Sequence, residues 1–159
     1  TGLSGIPLQN NLEALARKQL LSEAGFTPTD ALHVLGKLDF GNSEKSMEAA
    51  KLLGAIRNQS PEEFCQDVLS NTHEQIENMV IDYIIKQYWG KSLTNFVESR
   101  NEHPVLKVQF SVKVPLIGIG AAAKHLLPPV AERLGTTVTF PEHCEVGNAV
   151  GAALICKKQ

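Results

Sequence analysis

The chain has 159 residues, 43% of them hydrophobic, and a net charge of -2 from 15 basic and 17 acidic side chains, which is enough apolar content for a packed core and excludes a disordered chain. Its longest apolar runs fall far short of the roughly 18 to 20 residues that span a bilayer, and no basic-then-apolar leader opens it, so no membrane role is expected. Charges of both signs are interspersed, which leaves no basic face for a nucleic-acid backbone and points to small-molecule or protein partners in the cytoplasm.

Three cysteines, Cys65, Cys144 and Cys156, show no CxxC spacing. They read as packing residues of a reducing compartment. The chain opens on TGLSGIP without an initiator methionine, and it is expected to be a cut-down piece, a cleaved product or an ordered fragment of something longer.

In chain order, Asn10 or Asn11 can cap a first helix through Leu12, Leu15, Ala16, Gln19 and Leu20, which Gly25 stops. Thr27, Pro28 and Asp30 then form a capping box with proline at the first helical position, opening a short helix that runs to Gly36. Asn42 and Ser43 start a third helix with Met47, Ala50, Leu53 and Ala55 on one side, before a break at Asn58 and Gln59. Ser60, Pro61 and Glu63 repeat the start signal, and apolar residues at three and four apart (Phe64, Val68, Ile76, Met79, Val80, Tyr83, Ile84) predict one helix over 61–89. A further turn or two through Leu93, Phe96 and Val97 completes an all-helical segment, 1–100.

From residue 101 the grammar changes. Val105 to Val112 alternate with a period of two, which predicts a strand. Lys113 to Ala123, KVPLIGIGAAA, predicts a second, central strand covered on both faces, entering a glycine turn and a helix. Pro128 and Pro129 predict a break between a first helix, 121–127, and a second ending at Gly135. Thr136 to Phe140 predicts another strand, and 146–155 a last, slim helix. The order implies a parallel pair joined by a right-handed crossover. The fold class is thus α-rich α/β. The small residues Gly118, Gly120, Ala121, Ala122 and Ala123 suit either close approach of a nucleotide to bare backbone or tight packing of helix on sheet.

Two blocks together carry a family likeness: GFTPTDALHVLGKLDF at Gly25 to Phe40, and VPLIGIGAAAKHLLPPVAERLGTTVTFPEHCEVGNAVGAAL at Val114 to Leu154. The chain resembles the C-terminal part of the hydantoinase/oxoprolinase family, A-subunit type, over essentially its whole length. That resemblance implies a partial ribonuclease-H-like subdomain of the actin-like ATPase kind with a helical insertion. It also implies an ATP- and Mg²⁺-dependent parent that opens a cyclic amide or imide such as a hydantoin or 5-oxoproline, by way of a phosphorylated carbonyl. By the same resemblance, Gly118, Gly120 and Ala121 correspond to the adenosine-binding element, although Gly-Ile-Gly stands here where sugar kinases usually have adjacent glycines. Thr27, Thr29 and Asp30 match the family's TPTDA motif. Asp30, with His33 one turn on, is the candidate for catalysis, and Thr27, Thr29 and Asn148 for positioning substrate or a metal-bound water, with a backbone bond at a helix packing site as the other reading of Asn148. No residue here is expected to bind a metal directly.

Expected partners are the N-terminal remainder of the parent, which would bring the phosphate loop, a B-type hydantoinase subunit, further copies in an oligomer, and the cyclic amide. The chain alone is then expected to turn over nothing. The capping reading of Thr27, Thr29 and Asp30 stands beside the catalytic one. A non-catalytic assembly module built on the long helix, and a small-molecule kinase of the same fold, stand beside the amidohydrolase.

Overall fold

The structure, a computed structural model, describes residues 6–18, 25–39, 42–102, 104–105 and 107–156. Its architecture is α-rich α/β. Five helices come first: α1 (Ile6–Arg17), α2 (Pro28–Val34), α3 (Ser43–Ile56), α4 (Pro61–Trp89) and α5 (Thr94–Ser99). The unit β1 (Leu116–Ile117), α6 (Ala123–Arg133), β2 (Val138–Thr139) follows, and a 3-10 turn at Cys144–Val146 leads into α7 (Gly147–Cys156).

Local chemistry sets most boundaries. Thr27 and Ser60 each cap a helix reciprocally with Asp30 and Glu63, and each is followed by proline at the first helical position. Gly90, left-handed, ends α4 after 29 residues, a rod of about 43 Å. α1 begins at Ile6, so Asn10 and Asn11 lie inside it and do not cap it. Its expected end at Gln19, Leu20 and the residues up to 24 lies outside the described residues, as do Phe40, His103 and Leu106.

α4 joins two core clusters. Its first half contributes Phe64, Cys65 and Leu69 to a cluster with Ala31 and Leu32 of α2 and Ala50 of α3. Its second half contributes Ile81 and Ile85 to a cluster with Val97, Val130 and Leu134. Ala122 and Leu126 pack on the first cluster, and Phe110, Val112 and Leu116 on the second, so residues on both sides of position 100 share both cores. Burial of these side chains is the main stabilising term.

The buried faces of α3 and α4 differ from the expected stripes. On α3 the buried residues are Ser46, Ala50 and Gly54, a four-residue spacing of small side chains. Gly54 allows the loop after α3 to fold back, because a Cβ there would stand 2.9 Å from the Gln59 carbonyl oxygen. Met79 and Tyr83 of α4, expected on its apolar side, are 71% and 68% exposed.

The sheet holds β1 and β2 in parallel, Leu116 opposite Val138 and Ile117 opposite Thr139. Leu116 N–H donates to the Thr137 carbonyl at 2.8 Å and Gly118 N–H to that of Thr139 at 2.9 Å. Three expectations are corrected here. Described residues of 105–112 form no strand; they keep an alternating burial from Lys107 to Val112, and Val112 N–H donates to the Leu134 carbonyl, so the two-residue period reflects packing on α6 without a ladder. β1 is not covered on both faces, since Ile117 is 65% exposed while Leu116 faces the core. The helix does not break at Pro128 and Pro129, which lie inside a continuous α6. Proline lacks the N–H that would reach the carbonyl four residues back, and packing of Val130, Ala131 and Leu134 into the interior offsets that loss.

Candidate functional site

Two places gather the residues singled out above. The first is the start of α2. Asp30 Oδ2 accepts from the Thr27 N–H at 2.9 Å and the Thr27 hydroxyl at 2.6 Å, and Oδ1 accepts from the Ser46 hydroxyl at 2.7 Å. Burial works against the charged carboxylate, but the bonds from Thr27 and Ser46 outweigh it and hold Asp30 below its ordinary carboxyl range. Asp30 therefore ties α2 to α3.

His33 lies one turn on, with Nδ1 3.3 Å from the Leu38 carbonyl oxygen. Asp30 and His33 both line a cleft of about 580 Å³ that also meets Asn42, Lys45 and Ser46. Asn42 caps α3 by accepting from the Lys45 N–H at 3.1 Å. Thr29 is half-buried on the same turn as Asp30. Ser46 was legible only in hindsight, as the first of the three small residues spaced by four along α3.

The second place is the carboxyl end of the parallel pair, where the chain leaves β1 through Gly118 to Ala122 and leaves β2 through Phe140 to Val146. The two loops are joined. Gly120 N–H donates to the Cys144 carbonyl at 2.7 Å, Lys124 pairs with Glu145, and a Cβ on Gly147 would stand 2.7 Å from Ile119 Cγ2. α6 and α7 both begin here.

The glycines of the turn serve different purposes. At Gly118 a Cβ would stand 2.3 Å from Phe140 Cε1 and 3.1 Å from Leu127 Cδ1, so this position admits the protein's own ring. Gly120 has φ +115, a conformation that side chains disfavour, and open space where a Cβ would project. Ala121 beside it is exposed. The open Cβ side of Gly120 thus lies beside the exposed Ala121, while Gly118 faces inward.

Asn148 is the second residue of α7, on the loop side of this second place and far in sequence from Thr27 and Thr29. Both places rest on one support, because Ala122 just before α6 and Leu126 within it pack on the cluster that contains Ala31 and Leu32. Of the remaining expectations, Cys65 and Cys144 are buried but Cys156 is exposed. His73 buries its Nε2. Among the described residues no group of three or more His, Cys, Asp or Glu could hold a metal ion, and no helix is long and apolar enough to cross a membrane. No family model, curated protein or solved structure matches the chain.

Proposed function

We propose that this chain is the adenosine-side, C-terminal part of an ATP-dependent amidohydrolase of the hydantoinase/oxoprolinase type, acting in the cytoplasm on a cyclic amide or imide. The observation that carries the reading is the turn between β1 and α6. Gly120 leaves open space where a Cβ would project, and the exposed Ala121 stands beside it, at the carboxyl ends of a parallel β-α-β unit, where α/β folds place their ligands. A nucleoside resting there would contact Gly120 and Ala121, while Gly118 keeps the turn close to Phe140 and so acts indirectly. Asn148, early in α7, is assigned to positioning at the same end.

ATP, when bound, supplies the phosphoryl group that makes a ring carbonyl more electrophilic, and Mg²⁺ would arrive on its phosphates. On the substrate side, the Asp30 carboxylate holds Thr27 and Ser46 and so fixes the α2 turn beside the cleft. His33, lining the same cleft, is assigned to proton transfer at the ring-opening step, with Thr27 and Thr29 shaping the approach. The N-terminal remainder of the parent, a B-type subunit and further copies complete the assembly in this reading, and the chain alone turns over nothing.

A second reading is favoured by a different observation. Met79, Tyr83, Tyr88 and Trp89 of α4 are all exposed, and the Gly118 position is filled by Phe140, as a non-catalytic assembly module would have it. Thermal denaturation with and without adenine nucleotide separates the two. A ligand at 100 times its Kd adds about 2.7 kcal/mol, so a clear rise in Tm with ADP or ATP is expected of the enzyme part. An unchanged Tm for the intact parent at saturating nucleotide would favour the module.

A further inference from the structure

At the far end of α6 from the glycine turn, about 15 Å along the helix, lies a cleft of about 320 Å³ walled by Leu35 and Lys37 after α2, by Gln66, Leu69, Ser70 and His73 of α4, and by Arg133 of α6. We propose that it is a binding site for a tetrahedral oxyanion, a phosphate or phosphoryl group. The inference is independent of the ATP reading.

Among the described residues the lining holds two cations, an imidazole, an amide and a hydroxyl, and no carboxylate, in a protein whose net charge is -2. Gln66, Ser70 and His73 fall on one face of α4 at spacings of four and three, so all three address the same space. His73 Nε2 is buried and has no hydrogen-bond partner among the described residues. An orphaned buried nitrogen is costly, and native proteins rarely leave one. Burial first, then the charges of Arg133 and Lys37, press its imidazole toward the neutral form, and an incoming anion would offset those two charges.

Arg133 pairs with Glu77 at 3.6 Å, and Glu77 is engaged more closely by the buried Arg100 at 2.5 Å. Two guanidinium groups thus share one carboxylate, and positive charge remains at the cleft. Lys37 is held in place from its backbone, whose N–H donates to the Leu32 carbonyl at 2.8 Å.

A plainer role for Arg133 and Lys37 is to complement the carbonyl ends of α6 and α2. That role accounts for neither the absence of carboxylates from the lining nor the unpartnered nitrogen of His73. The carbonyl end of α6 does oppose an anion, but its exposed dipole is reduced because Val130, Ala131 and Glu132 carbonyls accept from Leu134, Thr136 and Gly135 N–H groups.

The test is a titration of the protein with inorganic phosphate, followed by the imidazole NMR signals of His73 at constant pH and ionic strength. Saturable movement of the His73 signals is expected, with affinity falling about tenfold or more in Lys37→Gln and again in Arg133→Gln. Circular dichroism establishes that the variants are folded, and Arg133→Lys, which keeps the charge, is expected to recover part of the affinity. Parallel titrations with acetate and chloride define the class. No saturable response of His73 to phosphate, an equal response to chloride, or unchanged affinity in folded Lys37→Gln and Arg133→Gln would overturn the proposal. Saturation by acetate with none by phosphate would overturn the assignment to a tetrahedral anion.

Discussion

Gly118→Ala isolates what the glycine turn does for the fold. The added methyl would sit 2.3 and 2.6 Å from Phe140 Cε1 and Cδ1 and 3.1 Å from Leu127 Cδ1. Carbon atoms in contact prefer about 3.5 to 4.0 Å, so the ring must retreat by about 1 Å. Overpacking of this kind costs about 1 to 3 kcal/mol. Gly118 is outside the left-handed region, so alanine also restricts the unfolded chain and returns about 0.4 to 1 kcal/mol. A net destabilisation of about 1 to 2 kcal/mol is expected in urea denaturation, with an unchanged slope. In a Phe140→Leu background the smaller side chain makes room, and the penalty is expected to shrink by about 1 kcal/mol. A Gly118→Ala protein as stable as the parent, or one equally penalised in both backgrounds, would refute the assignment of Gly118 to packing.

Asp30 is held below its ordinary range, so its contribution is present above the unfolded carboxyl value near pH 4 and is lost as pH falls through the lower folded value; Asp30→Asn is expected to flatten the stability profile in that acid window. Ser46→Ala removes a buried hydroxyl that donates to Asp30 at 2.7 Å, and should cost about 1 to 2 kcal/mol by thermal or urea denaturation. Arg100→Ala strands Glu77, whose side chain is 12% exposed, and a loss of about 3 to 5 kcal/mol is expected, less only insofar as Arg133 takes over the carboxylate. Burial first, then the charges of Glu62 and Asp30, push the Cys65 thiol up to about 11. A thiol reagent at pH 8 should therefore label exposed Cys156 in the native protein, and label Cys65 only on unfolding.

Helix starts at α2, α3 and α4 were legible because the signal is local: Thr27 with Asp30, Asn42 before Ser43, and Ser60 with Glu63 each satisfy backbone groups within four residues. What depends on distant partners was not. The alternation from Lys107 to Val112 is a true burial pattern, but a strand needs a neighbour to bond, and these residues meet the C-terminal end of α6. Pro128 and Pro129 forbid a helix in isolation and yet sit within one, because Val130, Ala131 and Leu134 are buried. On α3 the interface is made by smallness, Ser46, Ala50 and Gly54, which hydrophobic counting overlooks.

The candidate site divides in the same way. Thr27 and Asp30 could be paired from spacing alone, and Gly118 and Gly120 could be marked as positions that need no Cβ. The different reasons for the two glycines could not be read, since Phe140 lies 22 residues beyond the first in sequence and closes on it only through the parallel pairing of β1 with β2. Ser46 and Lys45 joined the Asp30 cleft through the packing of α3 on α2.

Backbone amide NMR during a titration with ADP reaches the central claim most directly. The signals of Gly120 and Ala121 should shift saturably as nucleotide is added, with smaller changes at Gly118 beside the Phe140 ring. Saturating ADP that leaves every amide from 118 to 123 in place would contradict the account.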